Sequence, residues 1–119
     1  MRILIADGDA RSRFALQVLL RQQPGVEIIG TAAGGEELAA GARESAPDLV
    51  LVAWDLPGLD LAGGLAALRR GPGAPRIVVL GSQPGVRRKS LAAGADAFVS
   101  KSDPPERLLA GLWGSETCP

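Results

Sequence analysis

Five short apolar runs punctuate the chain, at 3–6, 26–30, 49–53, 77–80 and 97–99, all continuous except the second, which holds Glu27. Continuous runs of this kind, rich in Val, Ile and Leu, suit strands covered on both faces, as in parallel sheets. The stretches between them predict helices. Residues 13–22 carry Phe14, Val18 and Leu19 at helical spacing, and 36–45 are Ala-rich with Leu38 and Ala42. Leu61, Leu65 and Leu68 fall on one helical face. Residues 86–93 precede Gly94, placed to end a helix in the left-handed conformation. Asp103-Pro104-Pro105-Glu106 predicts a helix start, with Asp103 as cap, Pro104 first and Glu106 third. Leu108, Leu109 and Leu112 then face inward, and Trp113-Gly114 predicts the helix end.

The rhythm is strand then helix, five times over. It predicts an α/β fold: a parallel sheet with right-handed crossovers and helices on both faces, a three-layer sandwich. Five such units suit the flavodoxin-like (βα)5 arrangement with strand order 2-1-3-4-5. One domain is expected over residues 1–114, followed by a tail at 115–119. Ligands of such sheets bind beyond the carboxyl ends of the strands. Those ends carry Asp7-Gly8-Asp9, Ala53-Trp54-Asp55, Gly81-Ser82 and Lys101. Gly34-Gly35 and Gly63-Gly64 lack the Gly-x-x-x-x-Gly-Lys-Ser/Thr pattern of a phosphate loop and read as a cap and a loose helix start.

Composition narrows the function classes. At 119 residues, 46% hydrophobic and 22% charged, the chain is globular and of single-domain size. Lys plus Arg and Asp plus Glu both number 13, which argues against direct nucleic-acid or membrane-surface binding. The absence of histidine excludes histidine catalysis, histidine metal ligation and a histidine phosphocarrier. The one thiol, Cys118, cannot form an internal disulfide. With no stretch near the ~20 apolar residues that span a bilayer, the expected location is the cytoplasm.

The residues at the strand ends, taken in order, resemble the receiver domain of two-component response regulators over residues 2 to 113. Ile3-Leu4-Ile5-Ala6-Asp7 is similar to the family's first strand and acidic cluster. Pro47-Asp48-Leu49-Val50-Leu51-Val52, followed by Leu56-Pro57-Gly58-Leu59-Asp60, resembles its third strand and following loop. Gly94-Ala95-Asp96-Ala97-Phe98-Val99-Ser100-Lys101 resembles its fifth strand and lysine. In that family an aspartate ending strand three attacks a phosphoryl group, acidic residues after strand one hold Mg²⁺, a Ser or Thr after strand four bonds a phosphoryl oxygen, and the lysine pairs with the acceptor and its phosphate.

Four positions depart from that pattern. Counting back from Pro57, the acceptor position falls on Ala53, whose methyl group cannot form an acyl phosphate. Gly8 replaces the second acidic residue, although Asp9 is adjacent. The hydroxyl position falls on Gly81, with Ser82 one residue late. The aromatic switch position falls on Phe98, which lacks a hydroxyl. The resemblance therefore implies an atypical, non-enzymatic receiver that works by phosphorylation-independent protein–protein interaction. Its expected partner is a second copy, a histidine kinase or an effector domain. No cofactor is expected, and Mg²⁺ binding at Asp7 and Asp9 is expected to be weak or absent. Lys101 is expected to pair with Asp7, Asp9 or Asp55 or to turn to solvent. Trp54 is expected at the exposed rim, either as a partner anchor or as a cover for the pocket. Arg87, Arg88, Lys89 and Phe98 form the expected partner surface. Two alternatives stay open: a receiver with a displaced acceptor such as Asp55, and a flavodoxin-like small-molecule binder.

Overall fold

A computed structural model describes residues 1–113 except 72 and 84, with the backbone alone at 111–113. The strands are β1 (Arg2–Ala6), β2 (Glu27–Ala32), β3 (Leu49–Ala53), β4 (Arg76–Gly81) and β5 (Ala97–Ser100). The helices are α1 (Ala10–Arg21), α2 (Gly35–Ser45), α3 (Leu61–Arg70), α4 (Val86–Ala92) and α5 (Pro105–Trp113). The strands form one parallel sheet in the order β2-β1-β3-β4-β5, the flavodoxin-like arrangement that the alternating pattern predicts.

Side chains of a strand alternate between faces, so each apolar run feeds two cores. Leu4, Val50, Val52, Ile77 and Val79 pack with Leu38, Leu65, Leu68 and Val86, under α2, α3 and α4. Ile3, Ile5, Leu49, Leu51, Val78 and Leu80 pack with Leu20 and Leu108, under α1 and α5. All five residues of β3 are fully buried, as a central strand requires. Each such Leu or Val stabilises by about 1.5–3 kcal/mol, so truncating Leu51 to Ala is costly.

The helix ends follow local chemistry. Asp9 accepts a hydrogen bond from Arg11 N at 2.9 Å, so α1 begins at Ala10 rather than near 13. After α4, Ala95 N bonds Ser90 O and Gly94 N bonds Leu91 O, with Gly94 at φ 110°, the left-handed close expected of that glycine. α5 begins at Pro105, one residue later than predicted. The inward side chain predicted for Leu112, the environment of Trp113, and Gly114 with the tail and Cys118 lie outside the described residues.

Helix α1 shows which of its apolar residues face the sheet. Its apolar residues make two overlapping faces, and the sheet takes the one carrying Leu16, Leu19 and Leu20. Phe14 is left 68% exposed and Val18 42%. Spacing alone does not say which of two adjacent apolar faces turns inward.

Candidate functional site at the carboxyl edge of the sheet

Parallel strands bring their carboxyl ends to one edge, and the sequence-predicted residues gather there. Asp7 follows β1 and is 2% exposed. Its Oδ2 accepts from Lys101 Nζ at 2.8 Å, and its Oδ1 accepts from the backbone N of Asp9 at 2.9 Å. Arg13 Nη1 donates to the Asp7 carbonyl at 2.7 Å. Of the partners open to Lys101, the structure selects Asp7. The physical reason is the cost of leaving a buried carboxylate unpaired. Backbone bonding fixes the lysine's loop, with Lys101 N on Gly81 O at 2.8 Å. Asp9 is exposed and spends its carboxylate on capping α1. Asp55 lies exposed in the turn after β3. Among the described residues no group of three or more His, Cys, Asp or Glu is placed to hold a metal ion.

Gly81 is buried under close-packed neighbours, whereas Gly8 is exposed and stands against the Pro57 ring. A Cβ at Gly8 would stand 2.8 Å from Pro57 Cδ, because the proline ring lies on the glycine backbone. The Pro57-Gly58 turn is held by Gly35 N donating to Pro57 O at 2.8 Å and by Gly58 at φ 77°. A Cβ at Gly81 would stand 2.9 Å from Trp54 Cδ1, 3.1 Å from Phe98 Cε1 and 3.1 Å from Val86 Cγ1. Side chains from the turn after β3, from β5 and from α4 thus converge on the end of β4. Ala53 ends β3 at 0% exposure, and the turn beyond it is closed by Leu56 N on Ala53 O and Trp54 N on Leu80 O.

Two expectations are corrected here. Trp54 is not at the exposed rim: it is half-buried and packs on the core beside Gly81, in keeping with a cover for the pocket rather than a partner anchor. Phe98 is 7% exposed and belongs to the core, so it offers no surface to a partner. Both follow from the space that Gly81 leaves. Arg87, Arg88 and Lys89 are exposed on α4 as expected, next to Leu91 at 40% exposure, while Arg87 Nη1 also donates to Phe98 O at 3.4 Å. Ser82 is exposed beyond β4. The roles of Pro57, Val86 and Arg13 escaped sequence reasoning. The signal for the first two was present in the glycines, which read as lost polar groups rather than as room for packing.

A family model of the response regulator receiver domain matches residues 3–112. A protein-glutamate methylesterase/protein-glutamine glutaminase 5 from Myxococcus xanthus is 34% identical over 104 residues, covering 85% of this chain and 30% of that protein. The transcriptional regulatory protein PdtaR of Mycobacterium tuberculosis is 37% identical over 105 residues, covering 84% of this chain and 49% of that protein. The chain therefore spans half or less of these curated relatives. Among solved structures, the response regulator domain of Thermotoga maritima CheB is similar with a TM-score of 0.84 at 22% identity, covering 100% of this chain and 98% of that one, a likeness of fold. A two-component response regulator of the LuxR family from Aurantimonas sp. SI85-9A1 matches with a TM-score of 0.84 at 30% identity, over 95% of this chain and 85% of that one.

Proposed function

As a member of the response regulator receiver domain family, this chain serves two-component signal transduction, and we propose that it does so without accepting a phosphoryl group. The observation that carries this reading is the packed carboxyl edge of the sheet. Ala53 has no lone pair to attack phosphorus. Where a second metal-binding carboxylate would stand, Gly8 offers no side chain, and where a phosphate-binding hydroxyl would stand, Trp54, Phe98 and Val86 close over Gly81. Lys101 and Asp7 satisfy each other. These features agree with one another, since a site relieved of phosphotransfer is free to gain packing instead.

On this reading the domain is a cytoplasmic, non-enzymatic interaction module with weak Mg²⁺ binding at Asp7 and Asp9 or none. The signal passes through protein contact: a second copy, a histidine kinase or an effector unit such as those of its longer relatives. Two surfaces support it. One is the α4 face with Arg87, Arg88, Lys89 and Leu91; the other is the α1 ridge of Phe14 and Val18, flanked by Arg11 and Arg21.

The test is incubation with acetyl phosphate and Mg²⁺ followed by intact-mass measurement. The expected result is no phosphoryl adduct that hydroxylamine removes, the mark of an acyl phosphate. An adduct that disappears in Asp55→Asn would replace this reading with the displaced-acceptor one, since Asp55 is exposed to a donor.

A further inference from the structure

Helices α2 and α3 lie side by side on one face of the sheet, and an open groove runs between them. Its volume is about 670 Å³, within the roughly 300–1,000 Å³ of small-molecule sites. The groove exists because the facing side chains are short. Ala39 and Ala67 form exposed walls, while Leu38, Leu59 and Leu68 line it from within.

Its two ends differ in charge. Asp60 lies at the end where the helices start, and its carboxylate accepts from Gly63 N at 3.3 Å as the cap of α3. At the other end, Arg43 from the last turn of α2 and Arg70 from the last turn of α3 approach the groove from opposite walls. Arg69 pairs with Asp96 and Lys101 with Asp7, and among the described residues neither Arg43 nor Arg70 has a carboxylate partner. A cation near a helix C-terminus is ordinary. Two from different helices, lining one end of an apolar groove with no acid among the lining residues there, are complementary to an anion.

We propose that this groove binds a small amphipathic carboxylate, its apolar body along Leu38, Leu59 and Leu68 and its carboxylate between Arg43 and Arg70. Arginine suits this role because its planar fork matches a carboxylate. From Gly35 to Arg43 the groove wall is about 12 Å long at 1.5 Å per residue, the reach of an extended acyl chain of about eight to ten carbons. The site is independent of the carboxyl-edge residues, so its failure would leave the proposed function untouched.

The probe is sodium octanoate, followed by amide chemical shifts and calorimetry on the whole chain. Saturable one-to-one binding is expected, with shifts concentrated in α2 and α3. Arg43→Gln/Arg70→Gln weakens it about tenfold or more, as loss of charge-assisted bonds requires, and 1-octanol binds comparably weakly to the unaltered chain. Ala67→Leu fills the groove and abolishes binding; Ala39→Leu is the second filling variant, and unchanged circular dichroism verifies folding of each. Absence of saturation, shifts centred elsewhere, or affinity indifferent to both the arginine and the filling substitutions overturns the proposal.

Discussion

The carboxyl edge of the sheet and the outer faces of α1 and α4 treat apolar side chains in opposite ways. At the sheet edge, Trp54, Phe98 and Val86 close over Gly81. On α1 and α4, where solvent is available, Phe14, Val18 and Leu91 stay exposed. Burial stabilises a fold, whereas exposed apolar groups beside arginine and lysine stabilise nothing until a partner covers them. The difference sets one edge whose apolar groups are packed against two helix faces whose apolar groups are open to solvent.

The sharpest way to break that contrast is at the ion pair. Lys101→Met leaves Asp7 buried and unpaired, and should cost about 3 kcal/mol in urea unfolding. Asp7→Leu/Lys101→Met should recover most of it, because an apolar pair needs no charge compensation. If the double variant is no better than the single one, the pair does more than satisfy charge.

Gly81→Thr probes the packed edge next. It restores a hydroxyl, but its Cβ would collide with Trp54 and Phe98. The expected loss is about 2 kcal/mol, read as a lower Tm; a neutral result would mean that the edge reopens readily.

A smaller effect of opposite sign is expected at Ser90. Its side chain is 0% exposed and its Oγ has no hydrogen-bond partner among the described residues. Ser90→Ala removes an unsatisfied polar atom and should raise stability by about 0.5–1 kcal/mol, measurable as a higher urea midpoint at unchanged slope.

The smallest change in stability belongs to the open surface. Phe14→Ser/Val18→Ser should shift unfolding by no more than about 0.5 kcal/mol. If the α1 ridge is a contact surface, the same variant loses self-association in sedimentation or capture of a cognate kinase. Large destabilisation would instead mark the ridge as part of the fold.

Much of the architecture was legible along the chain. Apolar runs at 49–53 and 77–80 became central strands because a strand covered on both faces needs no polar residue, and that requirement is written locally. The left-handed turn at Gly94 and the helical face of Leu65 and Leu68 were equally local. The meeting of Asp7, Ala53, Gly81 and Lys101 at one edge followed from strand polarity. Less visible was what fills the space between them. Trp54 looked exposed because it follows a strand end, and Phe98 because the resemblance placed it on a partner surface; the missing Cβ of Gly81, on a different strand, leaves room for both to pack inward.

The sequence by itself determined the alternation of strands and helices, the chemistry absent at positions 8, 53 and 81, and the supply of charges at the sheet edge. Tertiary structure alone decided which carboxylate Lys101 meets, which apolar face of α1 stays in water, and that arginines from two helices share one groove. The reason is physical: periodicity and composition act between near neighbours in the chain, whereas pairing, packing and exposure are settled by residues that only folding brings together.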